Sequence, residues 1–453
     1  MDRLKIYNPY NEDLIGTVKS FDKSDIINTI DILMGYDFRL SGYDRYKILI
    51  KAAELLEKQK EEFSNLIVNE IGVSLKDADH EVERTINVLI LSAEGAKRVV
   101  GEVYPADVSD EFKDKTVYSI REPLGIILCI TPFNHPLNQV AHKVCPAIAA
   151  NNAVLLKPSY KCPLTALHFV NLLYDAGVPN EMLQSVTGKD KNIGNILVTN
   201  NKISMISFTG GVEAGNIISN TCGIKKLSLE LGGNDALVID DDAILEDAIL
   251  FAVKGAYGNS GQRCSAVKRI ITLPKIHKNF IELFEIEVKK LKVGDPADPR
   301  TDIGTVIDEN AAIEIETRIN DAVKAGAQLI YGGNRSGAQI EPTILDLVIP
   351  DMEIVKKETF GPVAPIIRAD SIENAIEIMN DTTFGLNAGI VTNNLSNLKQ
   401  FIKKAKVGGI RINVPTSYRN EVLPFGGLKD SGYGRAGIIS AINEMTNLKT
   451  ILW

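Results

Sequence analysis

What most constrains this chain is a repeated alternation, in its second quarter, between short unbroken apolar runs and amphipathic helical patterns. Gly125-Ile126-Ile127-Leu128-Cys129-Ile130 offers no polar side chain to water and is bounded by glycine and by Thr131-Pro132. Such a run suits a strand buried on both faces, as in a parallel sheet. A helical pattern over 137–150 follows, then Ala153-Val154-Leu155-Leu156-Lys157, stopped by Pro158. A second helical pattern over 164–176 leads to Ser185-Val186-Thr187-Gly188. A third apolar segment, 203–208, runs through Thr209-Gly210-Gly211 towards a helix at 216–220. Strand and helix in turn predict an α/β fold built on a doubly wound parallel sheet.

The flanking sequence extends this pattern. Residues 7–18 read as a turn and short strand, Ser24-Asp25 opens a helix, and 44–73 reads as one long helical region. A further helix over 81–100 carries Arg84. A polar stretch, 104–115, and a strand, 117–122, look like an excursion that returns to the main body. From Glu230 the alternation restarts, with a strand at 267–273, a helix ending near Leu291, a helix at 310–325 and a strand at 364–368. This predicts a second α/β domain, consistent with 453 residues being too many for one ordinary core. The apolar tail 446–453 has strand character and is expected to be covered by another domain or subunit.

Composition excludes some classes. A net charge of −8 with both signs interspersed argues against a nucleic-acid partner. No apolar run approaches the ~20 residues of a membrane span. The start, Met1-Asp2-Arg3-Leu4-Lys5, has no apolar segment, so a cytoplasmic enzyme is expected. The five cysteines, at 129, 145, 162, 222 and 264, never form a CxxC pair, which argues against disulfide and zinc frameworks. No metal is expected.

Two residues carry chemistry on their own terms. Cys264 sits in Gly258-Asn259-Ser260-Gly261-Gln262-Arg263-Cys264-Ser265, among polar neighbours, whereas Cys129 and Cys145 lie inside apolar runs. Arg263 would favour the thiolate, the nucleophilic form. Glu230 lies in an apolar strand ahead of Gly232-Gly233, where burial would raise its pKa towards the range of a general base; a buried glutamate bonded to nearby backbone would read the same way. Thr209-Gly210-Gly211-x-x-x-Gly215 lets backbone N–H groups approach a diphosphate at a helix start, although a ligand-free glycine turn would look alike. Lys157, at a strand end before Pro158, suits a nucleotide at the carboxyl edge of a sheet.

Taken together, these segments resemble the aldehyde dehydrogenase superfamily over nearly the whole chain. The resemblance rests on Thr131-Pro132-Phe133-Asn134-His135-Pro136, Leu156-Lys157-Pro158-Ser159, Phe208-Thr209-Gly210, Leu229-Glu230-Leu231-Gly232-Gly233, Gly261-Gln262-Arg263-Cys264 and Glu358-Thr359-Phe360-Gly361-Pro362. Near the end come Asn413 and Pro424-Phe425-Gly426-Gly427-x-Lys429-x-Ser431-Gly432, all in family order and spacing. It implies Cys264 as nucleophile, Glu230 as base, and Asn134 with the Cys264 N–H as oxyanion donors. It places NAD or NADP against Thr131, Pro132, Phe133, Lys157, Ser159, Tyr160, Gly210, Gly211, Gly215, Leu231, Glu358 and Phe360. It also implies a Rossmann-type cofactor domain (1–103 and 123–229), an α/β catalytic domain (230–428) and bridging segments (104–122 and 429–453) that make a homodimer or homotetramer.

The departures from the family pattern are informative. Tyr160 stands where NAD-specific members carry a glutamate, so a 2′-phosphate beside Lys157 and Lys161 meets no carboxylate, and NADP is expected to be accepted. Gly211 replaces the usual serine, leaving diphosphate contact to the backbone. Positions matching the anion-binding residues of relatives that oxidise phosphorylated or phosphonate aldehydes are Arg84, His135, Arg263 and Arg419. Guanidinium groups suit such ligands, although Arg84 on a helix surface and Arg419 in a loop would need no ligand. Similarity also points to lactaldehyde and non-phosphorylating glyceraldehyde-3-phosphate dehydrogenases. The expected substrate is a small aldehyde with a hydroxyl or anionic far end, such as lactaldehyde, glyceraldehyde 3-phosphate or phosphonoacetaldehyde. Competing readings are a succinate-semialdehyde-type enzyme, a CoA-acylating enzyme, which would not need Glu230, and a non-catalytic binding or structural protein on the same fold.

Overall fold

Two parallel sheets, each buried between helices, organise the chain. The computed structural model describes residues 3–453. The first sheet has six strands in the spatial order Gly432–Tyr433, Lys226–Glu230, Ile203–Thr209, Ile126–Ile130, Ala153–Lys157, Leu183–Ser185. All neighbours run parallel except Gly432–Tyr433, which is antiparallel to Lys226–Glu230. From Ile126–Ile130 the chain adds two strands on one side and then crosses to the other. The order therefore reverses between Ile126–Ile130 and Ile203–Thr209, and ligands of doubly wound sheets bind at such a point, beyond the carboxyl strand ends. Register brings Ile130 level with both Lys157 and Phe208, and Thr209 level with Glu230, so these ends open onto one edge.

The second sheet has seven strands, in the order Gln328–Tyr331, Thr343–Asp346, Val363–Arg368, Arg269–Thr272, Ala236–Ile239, Asn387–Val391, Gly409–Ile412. Only Gln328–Tyr331 runs antiparallel. The strand Ala236–Ile239 shows how both faces are filled: Ala236 and Val238 enter one apolar core, Leu237 and Ile239 the other. A three-stranded sheet of Val103–Tyr104, Val117–Pro123 and Thr446–Leu452 stands apart from both.

Most elements fall where the sequence places them. The helix Lys23–Met34 starts at an Asp22/Asp25 capping box and Leu75–Ala96 at Ser74, whose hydroxyl accepts from the Asp77 N–H. There are three differences. The expected long helix at 44–73 is two helices, Gly42–Lys58 and Lys60–Ile71, turning at Gln59 so that both pack on Leu75–Ala96. A helix at Lys191–Thr199, capped by Asp190, is one that the sequence reading passed over, although Ile193, Ile196 and Leu197 have the spacing of one helix face. The apolar tail forms the strand Thr446–Leu452, but pairing with Val117–Pro123 satisfies only its backbone, and Leu448, Leu452 and Trp453 stay exposed.

Candidate active site

The loop that leaves the first sheet after Glu230 and enters the second at Ala236 holds the two sheets together. Asn234 donates to the Val355 carbonyl at 2.6 Å. The fully buried Arg269 guanidinium donates to the carbonyls of Asn234, Ile378 and Met379. Gly233 is required here, because a Cβ would stand 2.3 Å from the Cys264 carbonyl oxygen. Glu230 and Cys264 are thereby brought to the junction from different sheets.

Cys264 follows an unusual turn. Asn259, Ser260 and Gly261 all have left-handed backbones, with φ of 59°, 52° and 71°. Two non-glycine residues in that region are strained and persist only where contacts over-determine them. Those contacts are present. The Asn259 side chain donates to the Asn134 carbonyl at 3.0 Å and its N–H to Asp77 Oδ2 at 3.0 Å. Gln262 Oε1 accepts from the Ile307 N–H at 2.9 Å, and buried Lys268 donates to the Gly261 carbonyl at 3.1 Å. Asn134, itself buried, donates one amide hydrogen to the Gln262 carbonyl at 2.8 Å, which leaves its second hydrogen free beside Cys264.

Burial dominates the electrostatics. It pushes the Cys264 thiol up to about 12, helped by the carboxylates of Asp235, Glu358 and Glu230 and opposed by Arg419. Glu230 is raised to about 7 by burial, against the pull of Lys143 and Arg419, and neither of its oxygens has a hydrogen-bond partner. Burial lowers Lys143, which donates to Ser207 Oγ at 3.2 Å. Glu230, Cys264 and Lys143 line one small internal space with Ser207 and Thr209. Two cations act on the thiol: Arg263, although it also pairs with Asp77 at 3.2 Å, and Arg419, which the sequence offered only as a substrate ligand.

Cys264 separates two cavities. The one of about 240 Å³ is lined by Pro132, Phe133, Gly210, Gly211, Leu231, Glu358 and Phe360 together with Asn134. Its features suit a dinucleotide. Gly211 is the uncapped N-cap of the helix Val212–Thr221, with open space where a Cβ would lie, so the helix N–H groups are free for a diphosphate. The hydroxyls of Thr131 and Thr209 are buried without a partner. Phe133 and Phe360 meet edge to face at 5.8 Å, and the Gly233 N–H donates to Glu358 at 3.2 Å. Of the other expected contacts, Lys157 is largely buried at its strand end, Ser159 accepts from the Lys161 N–H at 3.2 Å, and Tyr160 is exposed. Thr131, Lys157, Ser159, Tyr160 and Gly215 lie outside the lining of this cavity; Gly215 packs its helix on Leu231, and the Lys161 ammonium pairs with Asp308 at 2.6 Å.

The second cavity, of about 360 Å³, brings together Arg84, His135, Arg263 and Arg419 with Asn134 and Cys264. Each of the four has an acidic neighbour. Arg84 donates to Glu421 at 2.7 Å, and His135 Nδ1 lies 3.2 Å from Glu81. Burial lowers the His135 pKa, so its ring is neutral near pH 7. Arg419 lies 3.7 Å from Glu421 and over the Phe425 ring, yet its Nε and Nη2 have no hydrogen-bond partner. Asp77, His80 and Lys254 also line this space, and Glu421 stands behind it; sequence reasoning missed all four. A signal did exist. Asp77, His80, Glu81 and Arg84 have the spacing of one face of a helix, and all four point to the cavity side of Leu75–Ala96.

A thiol, a buried carboxylate and an amide donor lie between a glycine-lined cleft and a cationic pocket, a set of groups that suits an oxidoreductase built on two α/β units. Residues 1–451 match the model of the aldehyde dehydrogenase family. The chain is 37% identical over 455 residues to a 3-sulfolactaldehyde dehydrogenase of Priestia aryabhattai, covering 100% of this chain and 95% of that one. It is 36% identical over 456 residues to a lactaldehyde dehydrogenase of Methanococcus vannielii, covering 99% and 97%. A crystal structure of glyceraldehyde-3-phosphate dehydrogenase GapN from Methanocaldococcus jannaschii, complexed with NADP, superposes with a TM-score of 0.96 at 37% identity, covering 99% and 98%. The chain belongs to the aldehyde dehydrogenase family and is an NAD(P)-dependent aldehyde dehydrogenase. Among the described residues no helix is long and apolar enough to cross a membrane.

Proposed function

We propose that this enzyme oxidises a small aldehyde whose far end carries an anionic group, with Cys264, Glu230 and Asn134 doing the chemistry. The observation that carries the substrate reading is Arg419, a guanidinium buried beside Cys264 with Nε and Nη2 unpartnered. Buried donors of that kind are costly unless a ligand completes them. The sulfonate of the Priestia relative's substrate and the phosphate of GapN's are both such ligands.

The Cys264 thiol, which burial keeps protonated at rest, gives its proton to water as its sulfur attacks the aldehyde carbon, giving a thiohemiacetal oxyanion that accepts from the free Asn134 amide hydrogen and the Cys264 N–H. When bound, NAD or NADP supplies the hydride acceptor, held by the cleft from Pro132 to Phe360. Loss of hydride leaves a thioester on Cys264. Glu230 takes one proton from water, the resulting hydroxyl adds to the thioester carbon, and the carboxylic acid leaves as the thiolate reforms, passing its own proton to solvent to become the carboxylate. Glu230 is the feature that favours hydrolysis over transfer to CoA.

We assign the six-stranded unit to the cofactor and the seven-stranded unit to catalysis, with Gly432–Tyr433 on the cofactor side. The three-stranded sheet, with Val103, Leu448 and Trp453 exposed, is proposed to join copies into a homodimer or homotetramer. Five free cysteines suit a reducing, cytoplasmic setting. The test is a panel of anionic, hydroxylated and alkyl aldehydes with each cofactor. Arg419→Leu should lower kcat/KM for anionic aldehydes by about 10- to 100-fold relative to propanal, the worth of one charged hydrogen bond. Equal losses on all aldehydes would defeat the substrate reading.

A further inference from the structure

One face of the helix Leu75–Ala96 reaches both halves of the oxyanion site. Asp77, Glu81 and Thr85 are spaced by four residues and so stand in line, one turn apart. Asp77 Oδ2 accepts from the Asn259 N–H at 3.0 Å and so grips the turn that leads to Cys264. One turn on, Glu81 grips the segment that carries Asn134. Its Oε1 accepts from the N–H groups of Leu137 at 2.8 Å and Asn138 at 2.9 Å, and its Oε2 lies 3.2 Å from His135 Nδ1. Thr85 Oγ1 accepts from the Asn138 side chain at 3.3 Å. The helix Asn138–Ala149 has no side-chain cap from its own N-cap residue, Leu137. Leu137 and Asn138 are buried, so without Glu81 their N–H groups would be left without a partner. On its other side Asn134 is held by the nucleophile turn itself, through the Asn259 amide and the Gln262 carbonyl. Fixing His135–Asn138 therefore falls to Glu81, with Thr85 behind it.

We propose that Glu81 is a positioning residue for oxyanion stabilisation, a carboxylate from a neighbouring helix that caps the helix after Asn134 and so aims the free Asn134 amide hydrogen. The inference rests on the reading of Asn134 as an oxyanion donor given above. With Asp77 and Glu81 on one rigid helix, the distance from Asn134 to Cys264 is set by a helical turn rather than by the loops that carry them. A donor displaced by about 1 Å can cost about 100-fold in rate, so an acceptor outside the lining of the cationic cavity still governs kcat. Glu81 also faces charges. Its carboxylate acts on His135 and Arg263, and Arg84 follows it on the same helix. The choice of substrate and of substitution separates an effect of that charge from one of position.

The experiment uses propanal, which carries no charge for the pocket to read, and measures kcat in native enzyme, Glu81→Met, Asn134→Ala and the double variant. Glu81→Met keeps the length of the side chain and removes the acceptor. It should lower kcat by about tenfold or more in the native background. In the Asn134→Ala background it should lower kcat by less than about threefold, because no amide is left to aim. A purely structural role lowers kcat by the same factor in both backgrounds, which overturns the proposal, as does a Glu81→Met variant within about threefold of native. Glu81→Gln is the conservative control, since it keeps an oxygen acceptor without the charge, and it should stay within about threefold of native. A loss equal to that of Glu81→Met makes the charge responsible and overturns the proposal. Should Glu81→Met not fold, Glu81→Asp, which draws the acceptor back by one methylene, takes its place in the same cycle under the same criteria. If Asn134→Ala alone leaves kcat unchanged, the oxyanion reading fails and the proposal with it, a result distinct from all of these.

Discussion

Glu230 gives the sharpest prediction, because the burial that makes it a base also costs the protein stability. Its carboxyl ordinarily titrates at 4.5 and is raised to about 7 in the folded chain. Below the lower value both folded and unfolded chains hold the proton, and no penalty exists. As pH rises to the upper value the unfolded chain ionises freely while the folded one resists, and the penalty reaches its plateau. At 1.36 kcal/mol per pKa unit, the cost above pH 7 is on the order of 3 kcal/mol. Glu230→Gln removes it. With an unfolding entropy near 2 cal/mol/K per residue, the gain is about 3 °C in Tm for a chain of this length, seen at pH 8 and absent near pH 4.5. The same variant should lose turnover by about 100-fold or more while still releasing a burst of reduced cofactor equal to the enzyme present, because acylation of Cys264 does not need the base. Thermal scans at the two pH values and stopped-flow absorbance are the assays. An equal Tm change at both pH values, or steady-state turnover within a few-fold of native, would refute the reasoning.

Other expectations follow from the same geometry. Native kcat should climb with pH up to about 7 and then level, as Glu230 loses its proton, and Glu230→Gln should flatten that limb of the profile. Asn134→Ala removes the free amide hydrogen and should cost about 100- to 1,000-fold in kcat, with cofactor affinity, read by fluorescence titration, nearly unchanged. Tyr160→Glu would restore a carboxylate near Lys157, where Tyr160 is now exposed. NADP should then lose about tenfold or more in kcat/KM relative to NAD, and an unchanged ratio would place the 2′-phosphate elsewhere.

Sequence alone determined the part of this protein that depends on local pattern. Short apolar runs such as 126–130 and 153–157, bounded by glycine and proline, suit buried strands, and the glycine pairs at 210–211 and 232–233 mark turns at strand ends. Cys264 and Glu230 were legible because their residue types and neighbours are unusual for core positions, whereas Asn134 was legible only through the family resemblance of the motif that contains it. Tertiary structure decided which charges meet. Arg263 is adjacent to Cys264 in sequence, yet its guanidinium turns to Asp77, 186 residues away, and Arg84 reaches Glu421 across 337 residues. Ion pairs of that sequence separation follow from how helices and loops of two sheets converge, which no local periodicity encodes. The same convergence buries Glu230 without a hydrogen-bond partner, and so sets the pKa that its place in an apolar strand only suggested.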